Sequence, residues 1–112
     1  MLVEIRNYHY RPESLEIYRQ WAREHALPFL KQQFDLVGFW IDNGLPAEIL
    51  DIPLDHLGSV NVTWILRWQD MEQRDKQMLQ VFQSTEWEEI FARLPDGFEN
   101  YLRREARFAE AL

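Results

Sequence analysis

Cysteine is absent from this chain of 112 residues. Its absence excludes disulfide bonds, thiolate nucleophiles and every metal site that needs a thiolate. Histidine is also scarce, and the one loose group of metal-binding side chains is Asp51, Asp55 and His56. No second histidine lies near this group in sequence, whereas zinc-type sites need several nitrogen or sulfur ligands. We therefore expect no metal site, and any chemistry must use oxygen and nitrogen groups.

Long hydrophobic runs are absent as well. The longest apolar stretch is around Leu36–Ile41, whereas a membrane-spanning helix takes about 20 residues. The first residues, Met1–Ile5, have the pattern of a strand, and no basic region leads into an apolar stretch of signal length. We therefore expect a soluble protein with a cytoplasmic location.

Basic residues are too few to balance the acidic ones. The chain has 12 Lys and Arg against 19 Asp and Glu, which gives a net charge of -7. Phosphate backbones and anionic lipids repel such a chain. No glycine-rich phosphate loop, nucleophile elbow or cofactor fingerprint is present either. The sequence predicts no nucleic-acid partner, no membrane partner and no cofactor.

Apolar and aromatic residues, by contrast, are plentiful. Hydrophobic residues make up 46% of the chain and aromatic residues 14%. This content is enough for one core without disulfides or metals, and the length suits one domain. The aromatic share exceeds what such a small core needs, so some rings should line a pocket or an interface. We expect a single domain over residues 1–112.

Hydrophobic periodicity predicts strands and helices in alternation. The predicted elements are a strand at 2–10, a helix at 12–33, strands at 36–41 and 59–68, helical segments at 70–82 and from 85 to the turn at 95–97, and a strand at 101–108. Pro28 lacks a backbone donor, so we expect a kink or break near His25. The last segment fits a helix or a strand by pattern. We favour a strand, because the order β-α-β-β-α-β is that of the ferredoxin-like fold.

A ferredoxin-like sheet has one face covered by helices and one bare face. We expect Tyr8 and one of the tryptophan-rich strand faces to lie on the bare side, where they would form a contiguous aromatic patch. Two such faces packed together would make a barrel with two-fold symmetry. The predicted fold is therefore an α+β, ferredoxin-like sandwich that forms a dimeric α+β barrel, and the predicted partner is a second copy of the chain.

Short segments along nearly the whole chain resemble the NIPSNAP family. They are Glu4-Ile5-Arg6-Asn7-Tyr8, Glu24-His25-Ala26-Leu27-Pro28, Val37-Gly38-Phe39-Trp40, Trp68 with Arg74, and Glu86-Trp87. The resemblance implies a dimeric α+β barrel, a class that also includes small cofactor-free monooxygenases. The NIPSNAP members themselves have no settled biochemical activity, so the resemblance implies architecture more than function.

The chain departs from the family between its second and third strands. A short turn in the family is replaced here by an insertion, residues 43–58, that is rich in aliphatic side chains. We expect so apolar a segment to pack down over its own sheet or across a partner subunit. It is then either a lid over a ligand site or an arm of a dimer, and the arm is favoured.

Charged residues on the first and last strands suggest a first candidate site. Glu4 and Arg6 could lie opposite Arg103, Glu105 and Arg107, since these strands are neighbours in the predicted fold. Inside a dimer barrel, Arg6 could bind a carboxylate of the ligand and Glu4 could accept a proton. The alternative, which is the more common use of such residues, is a structural salt-bridge ladder.

His25 is the second candidate catalytic residue. It lies on the apolar face of the first helix beside Pro28, where it could act as a general base at a pocket wall. The more common alternative is a buried neutral imidazole bonded to the carbonyl that Pro28 leaves free.

Aromatic residues at strand spacing form the third candidate group. Tyr8, Trp40, Trp64 and Trp68 could bind a flat ligand, or could serve only the core and a dimer interface. Two functions follow. The chain either binds or converts an aromatic or apolar acid without a cofactor, in the manner of a small monooxygenase, or it is a non-catalytic binding or assembly module.

Overall fold

The computed structural model describes all 112 residues. The strands are β1 (Leu2–Tyr10), β2 (Leu36–Ile41), β3 (Val62–Trp68) and β4 (Tyr101–Glu110). The helices are α1 (Leu15–Trp21), α2 (Leu27–Gln33), α3 (Met71–Phe82) and α4 (Thr85–Ala92), with a 3-10 turn at Pro12–Ser14 and a π-helical segment at Ala22–Ala26. The predicted order of elements is confirmed, including the strand at the end of the chain. None of the helices combines the length and apolar character that a membrane span needs.

The four strands form one antiparallel sheet in the order β2-β3-β1-β4. β1 is central, and Tyr8 on it lies opposite Val62 of β3 and Arg104 of β4. This topology with helices between the strands is that of the ferredoxin-like α+β fold. The predicted fold class is therefore confirmed for the single chain.

Pro28 shapes the helical layer without breaking it. The Leu27 N–H donates to the Ala22 carbonyl, five residues earlier, and closes a π-helical turn. Proline has no N–H, so the α-helical bond to the Glu24 carbonyl cannot form, and a π-helical turn is one way in which a helix accommodates such a position. The expected kink is a local widening, after which α2 continues to Gln33.

The helices cover the aromatic face of the sheet. Tyr8, Trp64 and Trp68 expose 5%, 4% and 3% of their surface and belong to the hydrophobic core together with aromatic side chains of the helices. The expectation that Tyr8 and a tryptophan-rich face would lie on the bare side is therefore wrong. Strand alternation shows which residues share a face, but it does not show which face the helices cover.

The other face of the sheet is aliphatic and polar. Val3, Ile5 and Ile65 lie on it, and none of them belongs to the core. Trp40 is its one tryptophan and is half exposed. The indole ring lies over Gly38, where any Cβ would come within 2.6 Å of the ring. Glycine is therefore needed at position 38 for Trp40 to lie flat on the sheet.

The predicted charge ladder between β1 and β4 does not form. Glu4 lies opposite Phe108 and Arg6 opposite Ala106, while Arg103 and Arg107 point to the other face. A β-bulge between His9 and Tyr10 shifts the register of this pair of strands. One extra residue moves every following side chain to the opposite face, which the sequence pattern does not reveal.

The insertion between β2 and β3 contains no helix and no strand. Leu45, Leu50 and Ile52 each expose more than 70% of their surface, so in the single chain they do not pack over the sheet. Asp55 forms an ion pair of 2.7 Å with Arg103 of β4, which ties the segment to the end of the sheet. The insertion was expected to pack either over its own sheet or across a partner subunit. The first expectation is wrong for these three side chains.

Candidate small-molecule site

A cavity of about 270 Å³ lies between the helices and the covered face of the sheet. Twelve of the fourteen residues that line it are hydrophobic, and the other two are Arg6 and Arg104. Ligand pockets of proteins are mostly apolar with a few polar groups placed among aromatic side chains. The composition of this cavity is therefore that of a site for a small, largely apolar molecule.

Edge-to-face contacts fix the aromatic walls. The Tyr8 ring is T-shaped to Trp64 at 6.3 Å and to Tyr101 at 5.6 Å, while Trp64 stacks on Phe39 at 5.9 Å. On the helical side, Tyr18 contacts Tyr101 at 5.8 Å. Such contacts hold rings in defined orientations. The aromatic rings of the wall are therefore held in fixed positions.

Arg6 is held in place by groups on its own strand. Its Nη1 donates to Glu4 Oε2 at 2.7 Å, and its Nε donates to the Tyr8 hydroxyl at 2.9 Å. The guanidinium lies 5.0 Å from the centre of the Trp64 ring, within cation–π distance. Burial alone would lower the pKa of Arg6, but Tyr8 and Glu4 more than offset this and raise it. Arg6 is a fixed cation in the cavity wall.

Glu4 is the anchor of this arrangement. Its carboxylate is fully buried and accepts four hydrogen bonds: one from Arg6, two from Arg74 and one from the Trp68 indole. Burial would raise the pKa of Glu4, but the hydrogen bonds and charges of Arg74 and Arg6 outweigh it and lower the pKa. A carboxylate so fully bonded is a poor proton acceptor.

Arg104 is the second cation of the cavity, and it has no carboxylate partner. It forms no ion pair, and its guanidinium lies 5.0 Å from the ring centres of both Phe98 and Tyr101. It is exposed, which places it at the mouth of the cavity rather than at its base. Arg6 is neutralised by Glu4, so Arg104 supplies the uncompensated positive charge of the cavity.

Trp64 lines the same cavity and has an unusual indole N–H. Its side chain is almost fully buried, yet no acceptor lies within hydrogen-bond distance of Nε1. It is the one buried polar side-chain atom of the chain without a partner. A buried donor without an acceptor is rare in folded proteins.

The hydroxyls of Tyr18 and Tyr101, which line the cavity, are neutral donors. Burial is the main cause that raises the pKa of Tyr18 and of Tyr101, and their hydroxyl oxygens lie 3.4 Å apart. No Asp, Glu or His lines the cavity. The cavity therefore offers cations and neutral hydrogen-bond donors to a ligand, but no group that accepts a proton near neutral pH.

Of the predicted site residues, some line the cavity, some lie behind its wall, and two lie elsewhere in the chain. Arg6, Tyr8 and Trp64 line the cavity, as a shared site requires. Glu4 and Trp68 lie behind Arg6 and support it through hydrogen bonds. These residues lie under the helices and not on the face that a dimer barrel would enclose, which corrects the predicted location.

The two other predicted residues lie elsewhere. Trp40 is on the opposite face of the sheet. His25 lies in the π-helical segment, is about one-third exposed, and its nearest carboxylate is that of Glu24, at 3.8 Å. Neither residue lines the cavity, and the interpretation of His25 as a fully buried imidazole is wrong.

Several residues that line the cavity were not predicted as site residues from the sequence. Tyr18 lies at helical spacing with the apolar Leu15 and Ala22, but such a stripe does not distinguish a pocket residue from a core residue. Tyr101 and Arg104 lie on β4, beside the bulge that changes which side chains face the helices. The alternation of residues along β4 does not show that these two side chains face the helices. The pairing of Arg104 with Tyr8 across the two strands does show it for Arg104.

A second groove, of about 370 Å³, is larger but has a different character. Only two of its nine lining residues are hydrophobic, Phe29 and Val81, and glutamines such as Gln73 and Gln77 dominate the rest. It is an open, polar groove between α2 and α3. The aromatic cavity is the better candidate, because it is mostly apolar and is lined by the two guanidiniums.

No protein-family model and no curated protein matches the sequence. Among solved structures, an uncharacterised NIPSNAP domain protein from Burkholderia xenovorans superposes with a TM-score of 0.74 at 18% identity, covering 100% of this chain and 95% of that chain. The chain has the fold of a NIPSNAP domain. A NIPSNAP family protein from Agrobacterium tumefaciens agrees, with a TM-score of 0.74, 16% identity, and coverage of 99% of this chain and 85% of that chain.

A more distant structure extends the likeness beyond the NIPSNAP fold. An antibiotic biosynthesis monooxygenase superposes with a TM-score of 0.51 at 13% identity, covering 100% of this chain and 99% of that chain. At these identities the likeness concerns the fold alone. The NIPSNAP resemblance inferred from short segments is confirmed at the level of the fold, and the function must come from the cavity itself.

Proposed function

We propose that the chain binds an aromatic or apolar carboxylic acid in the cavity between helices and sheet. The observation that carries the proposal is an aromatic cavity lined by two guanidiniums and by no carboxylate or imidazole. The aromatic walls suit the flat or apolar body of the ligand, and the uncompensated charge of Arg104 suits its carboxylate. Most carboxylic acids are ionised at neutral pH, so such a ligand needs no base in the cavity.

Local charge explains how an acidic protein can bind an anion. The net charge of the chain is -7, but the potential at a cleft is set by the groups nearest to it. Arg6 and Arg74 together carry two positive charges, which are balanced by their ion pairs with Glu4 and Asp75, so Arg104 supplies the net positive charge beside the cavity. The aromatic walls partly shield Arg6 from water, which strengthens its attraction for a carboxylate, whereas Arg104 at the mouth is exposed.

A finer proposal is that the bound acid is oxidised by dioxygen without a cofactor. The distant likeness to a monooxygenase fold supports it, as do fixed cations that would stabilise an anionic substrate. The cavity has no proton acceptor, so a substrate that is to react with dioxygen would have to enter the cavity already ionised. The test is dioxygen uptake in the presence of a phenolic aromatic acid: one oxygen atom enters the ring as a quinone carbonyl and the other leaves as water with two hydrogens of the substrate, so the product is heavier by one oxygen atom and lighter by two hydrogens. Binding without uptake would restrict the function to binding.

Thermal unfolding with three probes tests the binding proposal. The probes are fluorene-2-carboxylate, the neutral fluorene-2-methanol, and acetate. A ligand that binds only the folded state raises the melting temperature with its concentration. We expect a rise with fluorene-2-carboxylate, a smaller one with the alcohol, and none with acetate at equal concentration. Equal responses to the acid and the alcohol would reject a site for anions.

Assembly is a separate proposal. We propose that the chain is a single domain and that two copies pair through the aliphatic face of the sheet with the insertion as an arm. The half-exposed Trp40 and the exposed aliphatic residues of the insertion support this. The alternative function, a non-catalytic module whose aromatic sheet face serves only dimerisation, is no longer supported, because those aromatic residues lie under the helices. A cytoplasmic location remains a prediction from the sequence.

A further inference from the structure

We propose that Phe98 sets the preference of the cavity for anions by holding the Arg104 guanidinium at the mouth. The inference rests on the proposed function and assigns a positioning residue to that same site. Of the fourteen residues that line the cavity, Phe98 and Arg104 are the two that are exposed. These two side chains therefore form the mouth, and a ligand that enters the cavity passes beside them.

The Arg104 guanidinium lies over two aromatic rings. Its Cζ is 5.0 Å from the ring centre of Phe98 and 5.0 Å from that of Tyr101, and these two ring centres are 6.0 Å apart. An arginine on a protein surface has many rotamers, and fixing one of them costs conformational entropy. Contact with two rings restricts Arg104 before a ligand arrives, so binding has less entropy to remove.

Arg104 differs in its hydrogen bonding from the other arginines that lie over rings. Arg6 and Arg74 also lie over aromatic rings, but both donate to the Glu4 carboxylate. Arg104 contacts rings and forms no ion pair. A guanidinium over a ring keeps the donors at its edge, which match the two oxygens of a carboxylate. Arg104 is therefore held in position while its donors remain available to a ligand.

Burial does not explain why a phenylalanine occupies position 98. Phe98 exposes 59% of its surface, and it follows two residues with left-handed backbone, Asp96 at φ 64° and Gly97 at φ 54°. Such a backbone is uncommon for a residue other than glycine. The Phe98 ring centre lies 4.4 Å from that of Phe91 on α4. The turn therefore places Phe98 where its ring contacts both α4 and Arg104.

Calorimetric affinities for fluorene-2-carboxylate and the neutral fluorene-2-methanol test the inference. Phe98→Leu keeps an apolar side chain but removes the ring. Loss of an exposed cation–π contact should weaken binding of the acid by about 2- to 5-fold and leave binding of the alcohol nearly unchanged. Phe98→Tyr, which keeps a ring, should bind the acid like the unaltered protein. The matched control is Phe108→Leu, which removes a ring under Arg74 outside the cavity and should change neither affinity.

Combination with Arg104→Gln shows whether Phe98 acts through Arg104. In Arg104→Gln, the added change Phe98→Leu should affect the acid and the alcohol alike. Two results would overturn the inference and leave the proposed function intact: an equal loss for both ligands in Phe98→Leu alone, or a loss specific to the acid that persists in Arg104→Gln. If the unaltered protein binds neither ligand, both proposals are wrong. Phe98→Met, which also lacks a ring, replaces Phe98→Leu if that variant does not fold.

Discussion

Arg6 and Glu4, two residues apart on the central strand, meet at 2.7 Å beneath the helices. Glu4 lies behind the cavity wall and gives Arg6, which lines the cavity, a buried counter-charge. Arg74 of α3 completes the network from the helical layer at 3.0 Å. The same carboxylate therefore fixes Arg6 in the cavity and joins α3 to the sheet.

Glu4→Gln should destabilise the fold strongly. The substitution keeps the shape of the side chain but leaves Arg6 and Arg74 without a buried counter-charge, and breaking a buried ion pair in this way costs about 3 to 5 kcal/mol. Denaturant unfolding at pH 7 measures the loss. Glu105→Gln on the exposed side of β4 is the control and should change stability by less than about 0.5 kcal/mol. Equal losses for the two variants would contradict the anchoring role of Glu4.

The contribution of Glu4 should disappear in acid. Its pKa in the folded protein lies below the ordinary value of 4.5, so the unfolded chain takes up the proton first. The stabilisation is therefore complete above pH 4.5 and is lost as pH falls through the lower, folded pKa. The stability difference between the unaltered protein and Glu4→Gln should shrink when denaturant melts are repeated at decreasing pH below 4.5. If the stability difference stays constant as the pH falls, the ionised Glu4 carboxylate is not the group that stabilises the fold.

Trp87→Ala should cost about 3 to 5 kcal/mol in unfolding free energy, because it removes a large ring from an aromatic cluster. Trp87 lies 4.9 Å from Phe82 and 5.9 Å from Phe29, measured between ring centres. The control is His25→Ala, which removes a partly exposed side chain with one weak contact. A larger loss for His25→Ala than for Trp87→Ala would show that both placements are wrong.

Much of the fold could be predicted because local patterns determine it. The alternation of Leu2–Tyr10 coincides with β1, and Asp70, a residue type favoured at the start of helices, caps α3 by accepting from the Gln73 N–H at 2.8 Å. The cap of α4 is Ser84, whose side chain accepts from the Trp87 N–H, and not the neighbouring Thr85. Both hydroxyl residues fit that position by type, so only the backbone distinguishes them.

The site could be predicted only in part, because it depends on long-range packing. Arg6, Tyr8 and Trp64 were found because alternation places Arg6 with Tyr8, and Trp64 with its strand neighbours, at regular spacing. Both faces of β1 carry apolar residues, so the sequence did not show which face the helices cover. The role of Arg104 depends on its register against Tyr8, which no local pattern determines.

Shortening the insertion tests its predicted role as an arm. Joining Gly44 directly to Gly58 removes the exposed Leu45, Leu50 and Ile52. None of the removed residues lines the cavity, so the response to fluorene-2-carboxylate should be unchanged, which argues against a lid. Sedimentation should show a dimer for the unaltered chain and weaker association for the shortened one. If the unaltered chain is monomeric, the insertion is not an arm of a dimer. If the shortened chain loses its response to fluorene-2-carboxylate, the insertion acts as a lid.

Calorimetric binding of fluorene-2-carboxylate to Arg104→Gln and to Arg107→Gln tests the central claim most directly. Both arginines are exposed residues of β4, but Arg104 faces the cavity and Arg107 faces the opposite side of the sheet. Loss of a charge-assisted hydrogen bond should weaken binding to Arg104→Gln by about 10- to 100-fold. Arg107→Gln should bind like the unaltered protein. Equal affinities for the two variants would contradict a carboxylate site in the cavity.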